Sequence, residues 1–214
     1  MHFTTWITFV IAASIIAVSP GSGAVLSMSH GLSYGLKKTS ATILGLQAGL
    51  LLILFIAGAG VGSLLLASEV AFNVVKTVGA LYLIYLGVSQ WRAKVGQADT
   101  AAVAAAPASA PSFGKRLLTG FLTNATNPKG IIFMVAVLPQ FITSAAPLLP
   151  QLLILALTMC TIDLAVMHSY ALLAASMQRF FRDPRAIKKQ NRVFGGLLVG
   201  VGTALFFVKR GAQA

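Results

Sequence analysis

The sequence has little negative charge, few metal-ligating side chains and a single thiol: of 214 residues, 4 are Asp or Glu, 3 are His and 1 is Cys. The single cysteine, Cys160, excludes an intramolecular disulfide, a thiol relay and a thiolate metal cluster. Within an apolar stretch it reads as a small packing residue. His2, His30 and His168 are too dispersed to make a recognisable metal site, so no metal is expected and no cofactor either. Serine and threonine are present, but no partnered histidine or metal motif is visible in the sequence, which speaks against an enzyme.

What the chain has instead is apolar surface. Hydrophobic residues make up 57%, charged residues 9%, and mean hydropathy is +0.86, a composition outside the range of a soluble domain with a polar surface. A bilayer span needs about 20 apolar residues, and six stretches qualify: roughly 4–29, 40–66, 72–90, 117–138, 149–177 and 193–208. The expected fold is all-α, a polytopic membrane protein of six transmembrane helices. No Lys or Arg precedes Lys37, so the first span lacks the basic region of a cleavable signal and is expected to be retained.

The net charge of +12 is placed to orient the protein. Lys37 and Lys38, then Arg92, Lys94, Lys115 and Arg116, then Arg179, Arg182, Arg185, Lys188, Lys189 and Arg192 fall in the first, third and fifth loops. The opposite side carries Lys76, Lys209 and Arg210. By the positive-inside rule both termini face away from the cytoplasm, toward the periplasm. The C-terminal pair fits poorly, and a five-span topology would put it inside; six spans are favoured. The basic cluster after span five reads as a lipid-facing loop, and without an accompanying motif it is not expected to bind nucleic acid.

Ala, Pro and Ser dominate residues 93–114, which read as a flexible cytoplasmic linker. The linker leaves 1–92 as a first three-helix repeat and 115–214 as a second. An odd number of spans in each half places the second upside down, as an inverted repeat, and each half opens with a broken helix, helices 1 and 4 of the six.

The breaks are Ser19-Pro20-Gly21-Ser22-Gly23 and Asn124-Ala125-Thr126-Asn127-Pro128-Lys129-Gly130. In each, a side chain of the N-capping kind, Ser19 or Asn127, precedes a proline suited to the first position of a new helix. At about 1.5 Å per residue both prolines fall near mid-bilayer. Helix starts there would offer backbone N–H groups and partial positive charge to a carboxylate, with Gly21, Gly23 and Gly130 permitting close approach. A simple proline kink is the bland alternative for either break alone; a matched pair favours a site.

Two ionisable residues also fall inside spans, Asp163 at the centre of span five and Lys129 beside the second break. A charge at this depth costs at least about 2.5–3.5 kcal/mol and usually faces a cavity, pairs with another charge or carries protons. Asp163 is assigned the substrate ammonium or a coupling proton, and Lys129 the carboxylate; a structural ion pair between them is the competing reading. Gln47 is a candidate amide for the cavity. Tyr170, seven residues from Asp163, lies on nearly the same helical face and either lines the path or packs. Gly45 with Gly49, and Gly196 with Gly200, have the spacing of close helix contact.

Ser-Pro-Gly in span one, Gly79 to Gly87 in span three, Asn127-Pro128-Lys129 in span four and the mid-span Asp163 together resemble the LysE/RhtB family of bacterial amino-acid exporters, over essentially the whole chain. Most members have Pro-Gly-Pro at the first break. Pro20-Gly21-Ser22 is similar instead to the RhtB branch, which implies homoserine or homoserine lactone as substrate. The resemblance also implies efflux across the inner membrane, driven by protons, by a homodimer. Two other classes remain open at this point. A divalent-cation exporter would want several carboxylate or His ligands where only Asp163 stands, and a non-transporting scaffold or receptor would also carry Gly and Pro in its spans.

Overall fold

The computed structural model describes residues 1–67, 69–92, 110–143, 145–176 and 184–207. Among the described residues the chain is all-helical, with no strand. In order come α1 (Phe3–Val18), α2 (Ser22–Ala67), α3 (Glu69–Arg92), α4 (Phe113–Ala125), α5 (Pro128–Val137), a 3-10 turn (Leu138–Phe141), α6 (Leu148–Ser176) and α7 (Pro184–Phe207). Most of the expected 93–114 linker, residues 93–109, lies outside the described residues; Ser112 caps α4 by accepting from the Lys115 N–H.

Among the described residues two helical segments, Ser22–Gly60 and Leu148–Ser176, are long and apolar enough to cross a membrane, and the bent pair Phe113–Ala125 with Pro128–Phe141 makes a third if it is one span. Phe3–Val18 and Asn73–Ser89 are shorter apolar helices. The two helices of that pair meet at 51°, so the fourth predicted span is interrupted where the sequence placed its break. Within α2 the backbone leaves helical geometry at Gly35, with φ 71° and ψ 166°. That region is open essentially to glycine alone, and it separates the end of the first predicted span from the second.

These helices are apolar on the inside and on the outside. Along α6, Leu152, Leu155, Met159 and Met167 are buried while Leu149, Leu153, Leu157 and Leu172 are exposed. A helix hydrophobic all round belongs in lipid or deep in a large protein.

α2 packs along both α4 and α6, and α3 packs along α7. Missing side chains set these distances. A Cβ on Gly45 would stand 2.0 Å from the Leu117 carbonyl oxygen and one on Gly120 2.0 Å from that of Thr42, so α2 and α4 touch backbone to backbone. Gly49 packs the same way against Phe121, as the spacing of Gly45 and Gly49 predicts. The other predicted pair needs correction: a Cβ on Gly196 would meet only the Trp91 ring, and Gly200 has open space. Gly195, facing Gly87, and Gly202, against the Ala80 carbonyl, bring α3 and α7 together.

The buried interior falls into two hydrophobic clusters. The larger joins Phe9 and Ile16 of α1 to Leu50 and Leu54 of α2, Phe133 and Met134 of α5, and Leu155 and Met159 of α6. The smaller joins Ala24, Met28 and Leu46 of α2 to Met167, Tyr170 and Ala171 of α6.

Candidate functional site

Both breaks follow from the residue before proline being driven out of helical geometry. At the second, Asn127 (φ −73°, ψ 108°) caps α5: its Oδ1 accepts from the Lys129 N–H at 3.1 Å, with Pro128 in the first turn. The first break differs from expectation. Ser19 (φ −69°, ψ 118°) closes α1 as its C-cap, its N–H donating to the Ile15 carbonyl at 3.0 Å. α2 begins only at Ser22, with the Gly21 carbonyl accepting its first helical bond from Val25 at 2.9 Å. Ser19 therefore ends one helix instead of starting the next, and Pro20 stands between helices.

A half-helix that ends inside the protein exposes carbonyls needing donors. Two side chains from elsewhere in the sequence supply them: Tyr170 Oη donates to the Val18 carbonyl at 2.6 Å, and Lys129 Nζ donates to the Ser19 carbonyl at 2.5 Å. The ammonium thus sits at the negative end of the α1 dipole.

Beside this contact lies a cavity of about 50 Å³, room for a few water molecules. Ser19, Gly21, Gly23, Asn127, Lys129 and Asp163 all line it, so the structure brings the two breaks and both intramembrane charges to one place. Gly130 lines it too. Its apolar wall mixes Ile16, Leu50 and Met159 of the larger hydrophobic cluster with Ala24, Leu46 and Met167 of the smaller. The cavity is the seam between the two clusters.

Asp163 is 7% exposed, and its Oδ2 accepts from Gln47 Nε2 at 2.6 Å. A carboxylate only accepts, so the amide must present its NH2 group. Gln47 Oε1 is left buried without a hydrogen-bond partner. Lys129 and Asp163 share this cavity, and each also bonds a neutral group, Lys129 the Ser19 carbonyl and Asp163 the Gln47 amide.

Pro20, Ser22, Pro128, Gln47 and Tyr170 do not line the cavity. Gln47 reaches it through Asp163, and Tyr170 braces the break from the buried face of α6 that it shares with Asp163. Sequence reasoning gave Asn124 no role, yet it lines the cavity and its Nδ2 donates to the Leu46 carbonyl at 2.8 Å. An amide in an apolar span, one turn before a break, was the available signal.

A family model described as LysE type translocator matches residues 14–208. The chain is 39% identical over 210 residues to a membrane protein of Vibrio cholerae, covering 98% of this chain and 100% of that one. It is 38% identical over 205 residues to the homoserine/homoserine lactone efflux protein of Salmonella typhi, covering 96% and 97%. It is 33% identical over 203 residues to the leucine efflux protein of Klebsiella pneumoniae, covering 94% and 93%. No solved structure matches. With the family model spanning nearly the whole chain and relatives of this identity matching end to end, the protein belongs to the LysE family of membrane translocators, which are transporters and not enzymes.

Proposed function

We propose that this protein exports homoserine, homoserine lactone or a related small neutral amino acid from the cytoplasm across the inner membrane, by proton antiport. The observation that carries the reading is the convergence of Lys129, Asp163 and both helix breaks on one cavity. A zwitterion needs an anion site and a cation site a few ångströms apart, and a small apolar wall suits a short uncharged side chain. The cavity has one carboxylate, far from the six or more oxygens that a hard divalent cation seeks.

In the proposed cycle the substrate carboxylate docks at the α5 start, near Gly21 and Pro128, with help from Lys129. Asp163 exchanges between the substrate ammonium and a proton. The cavity faces the two sides of the membrane in turn.

The proposed frame is six spans with both termini periplasmic, in which 1–92 and 115–214 form two inverted three-helix repeats joined by 93–114, in a homodimer. Helix contacts support the repeat. The second span meets the fourth through Gly45 and Gly120, the fifth meets the first where Ala171 approaches Gly31, and the third meets the sixth at Gly87 and Gly195. Exchanging the halves maps this set of contacts onto itself.

The deciding experiment is counterflow of labelled homoserine in proteoliposomes, challenged with threonine, leucine, lysine and homoserine lactone. Competition by homoserine and its lactone, with lysine inert, is expected. Exchange of lysine in preference to neutral amino acids would overturn the substrate assignment.

A further inference from the structure

The Lys129 ammonium occupies a position that an α-ammonium would also choose. It is a cation on a methylene stem, donating to the Ser19 carbonyl at the negative end of α1, beside Asp163, in a cavity that both residues line. The stem lies over Gly21, where an added Cβ would come within 3.5 Å of both Lys129 Cδ and Nζ. The Val18 carbonyl beside it is already bonded by Tyr170. Ser19's carbonyl and Asp163 are therefore the acceptors through which the cavity would hold a primary ammonium.

We propose that the carbonyl end of α1 is the substrate-ammonium subsite and that Lys129 is a tethered occupant of it, displaced when substrate binds. The proposal rests on the export reading and assigns the subsite within it. A substrate ammonium that takes Ser19's carbonyl frees Lys129, and the freed cation then has the substrate carboxylate to pair with. For an amino acid the exchange is balanced, one ammonium replacing another and one new ion pair forming. A lactone has no carboxylate, so its binding leaves Lys129 displaced and uncompensated in a low-dielectric cavity. The same lysine thereby favours amino acids and holds carboxylate-free amines back.

The test is calorimetric binding of homoserine and of homoserine lactone to the purified full chain, as wild type, Lys129→Met and Lys129→Arg. Met removes the tethered cation while keeping most of the stem. Lactone affinity is expected to rise about tenfold in Lys129→Met, the gain from removing an occupant that fills the subsite about nine-tenths of the time, while homoserine, which gains the same opened subsite but loses a carboxylate partner worth about tenfold or more, is expected to bind no more tightly than to wild type. Lys129→Arg, which keeps a cation, is expected to leave lactone affinity within about twofold of wild type. Unchanged or weaker lactone binding in Lys129→Met overturns the proposal while leaving export intact. Failure of the wild type to bind either compound overturns homoserine and its lactone as the substrates, and with them the subsite assigned here. If Lys129→Met does not fold, a structure of the wild type with lactone bound decides: Lys129 Nζ released from the Ser19 carbonyl supports the proposal, and a retained bond overturns it.

Discussion

At the first break the chain is out of helix through Ser19, Pro20 and Gly21, and its open carbonyls are bonded by Tyr170 of α6 and Lys129 of α5. At the second, Thr126 and Asn127 separate the helices, and the Asn127 side chain caps α5 from within the same turn. Both are proline breaks of similar composition. One is completed by its own residues, whereas the other is completed by residues more than a hundred positions away. The second break is therefore capped locally, with Asn124 reaching across to the Leu46 carbonyl, and the first is a point where the halves of the molecule hold one another.

The strongest challenge to this contrast comes from Asp163, which faces both breaks across the cavity. Asp163→Asn is expected to abolish proton-coupled homoserine efflux from loaded proteoliposomes; coupling retained in full would remove Asp163 from the mechanism. Next in size is Lys129→Ala, which takes away both the ammonium on Ser19 and the partner of a substrate carboxylate. Homoserine transport should fall about tenfold or more while lactone transport does not, and equal losses for both would count against carboxylate contact.

The two smaller tests address stability. Tyr170→Phe deletes the hydroxyl that donates to Val18 and should cost about 1–3 kcal/mol, read as a lower melting temperature in detergent. A change no larger than that of a surface substitution would mean the first break does not depend on α6. Asn127→Ala removes a cap of ordinary kind and should cost about 1 kcal/mol, with Asn127→Ser recovering most of it. If the alanine variant lost more stability than Tyr170→Phe, the second break would be the more dependent one and the contrast would be reversed.

How much of this was legible in the sequence depends on the range over which each feature is decided. The breaks, the all-helical class and the Asn127-Pro128 helix start were legible, because proline restrictions and capping act within a few residues. The family resemblance was legible for the same reason, since its motifs are short. Ser19 was misread because a residue of its type before proline either opens a helix or closes one, and here the next helix starts only at Ser22. The bonds from Lys129 to Ser19 and from Gln47 to Asp163 join positions 110 and 116 apart, and no local pattern announces such a partner. Gly195 was overlooked beside Gly196 because one residue of helix phase, about 100°, decides which glycine faces α3.

The division of the apolar interior into two clusters has a mechanical consequence. Close-packed side chains barely compress and pass strain from one to the next, so each cluster resists deformation as a unit. Stiff bodies in contact deform where they are joined, and here the joint is the polar cavity between them. In the proposed transport cycle the compliance lies where the substrate would bind, so that opening a path and loosening the grip on the load would be a single motion.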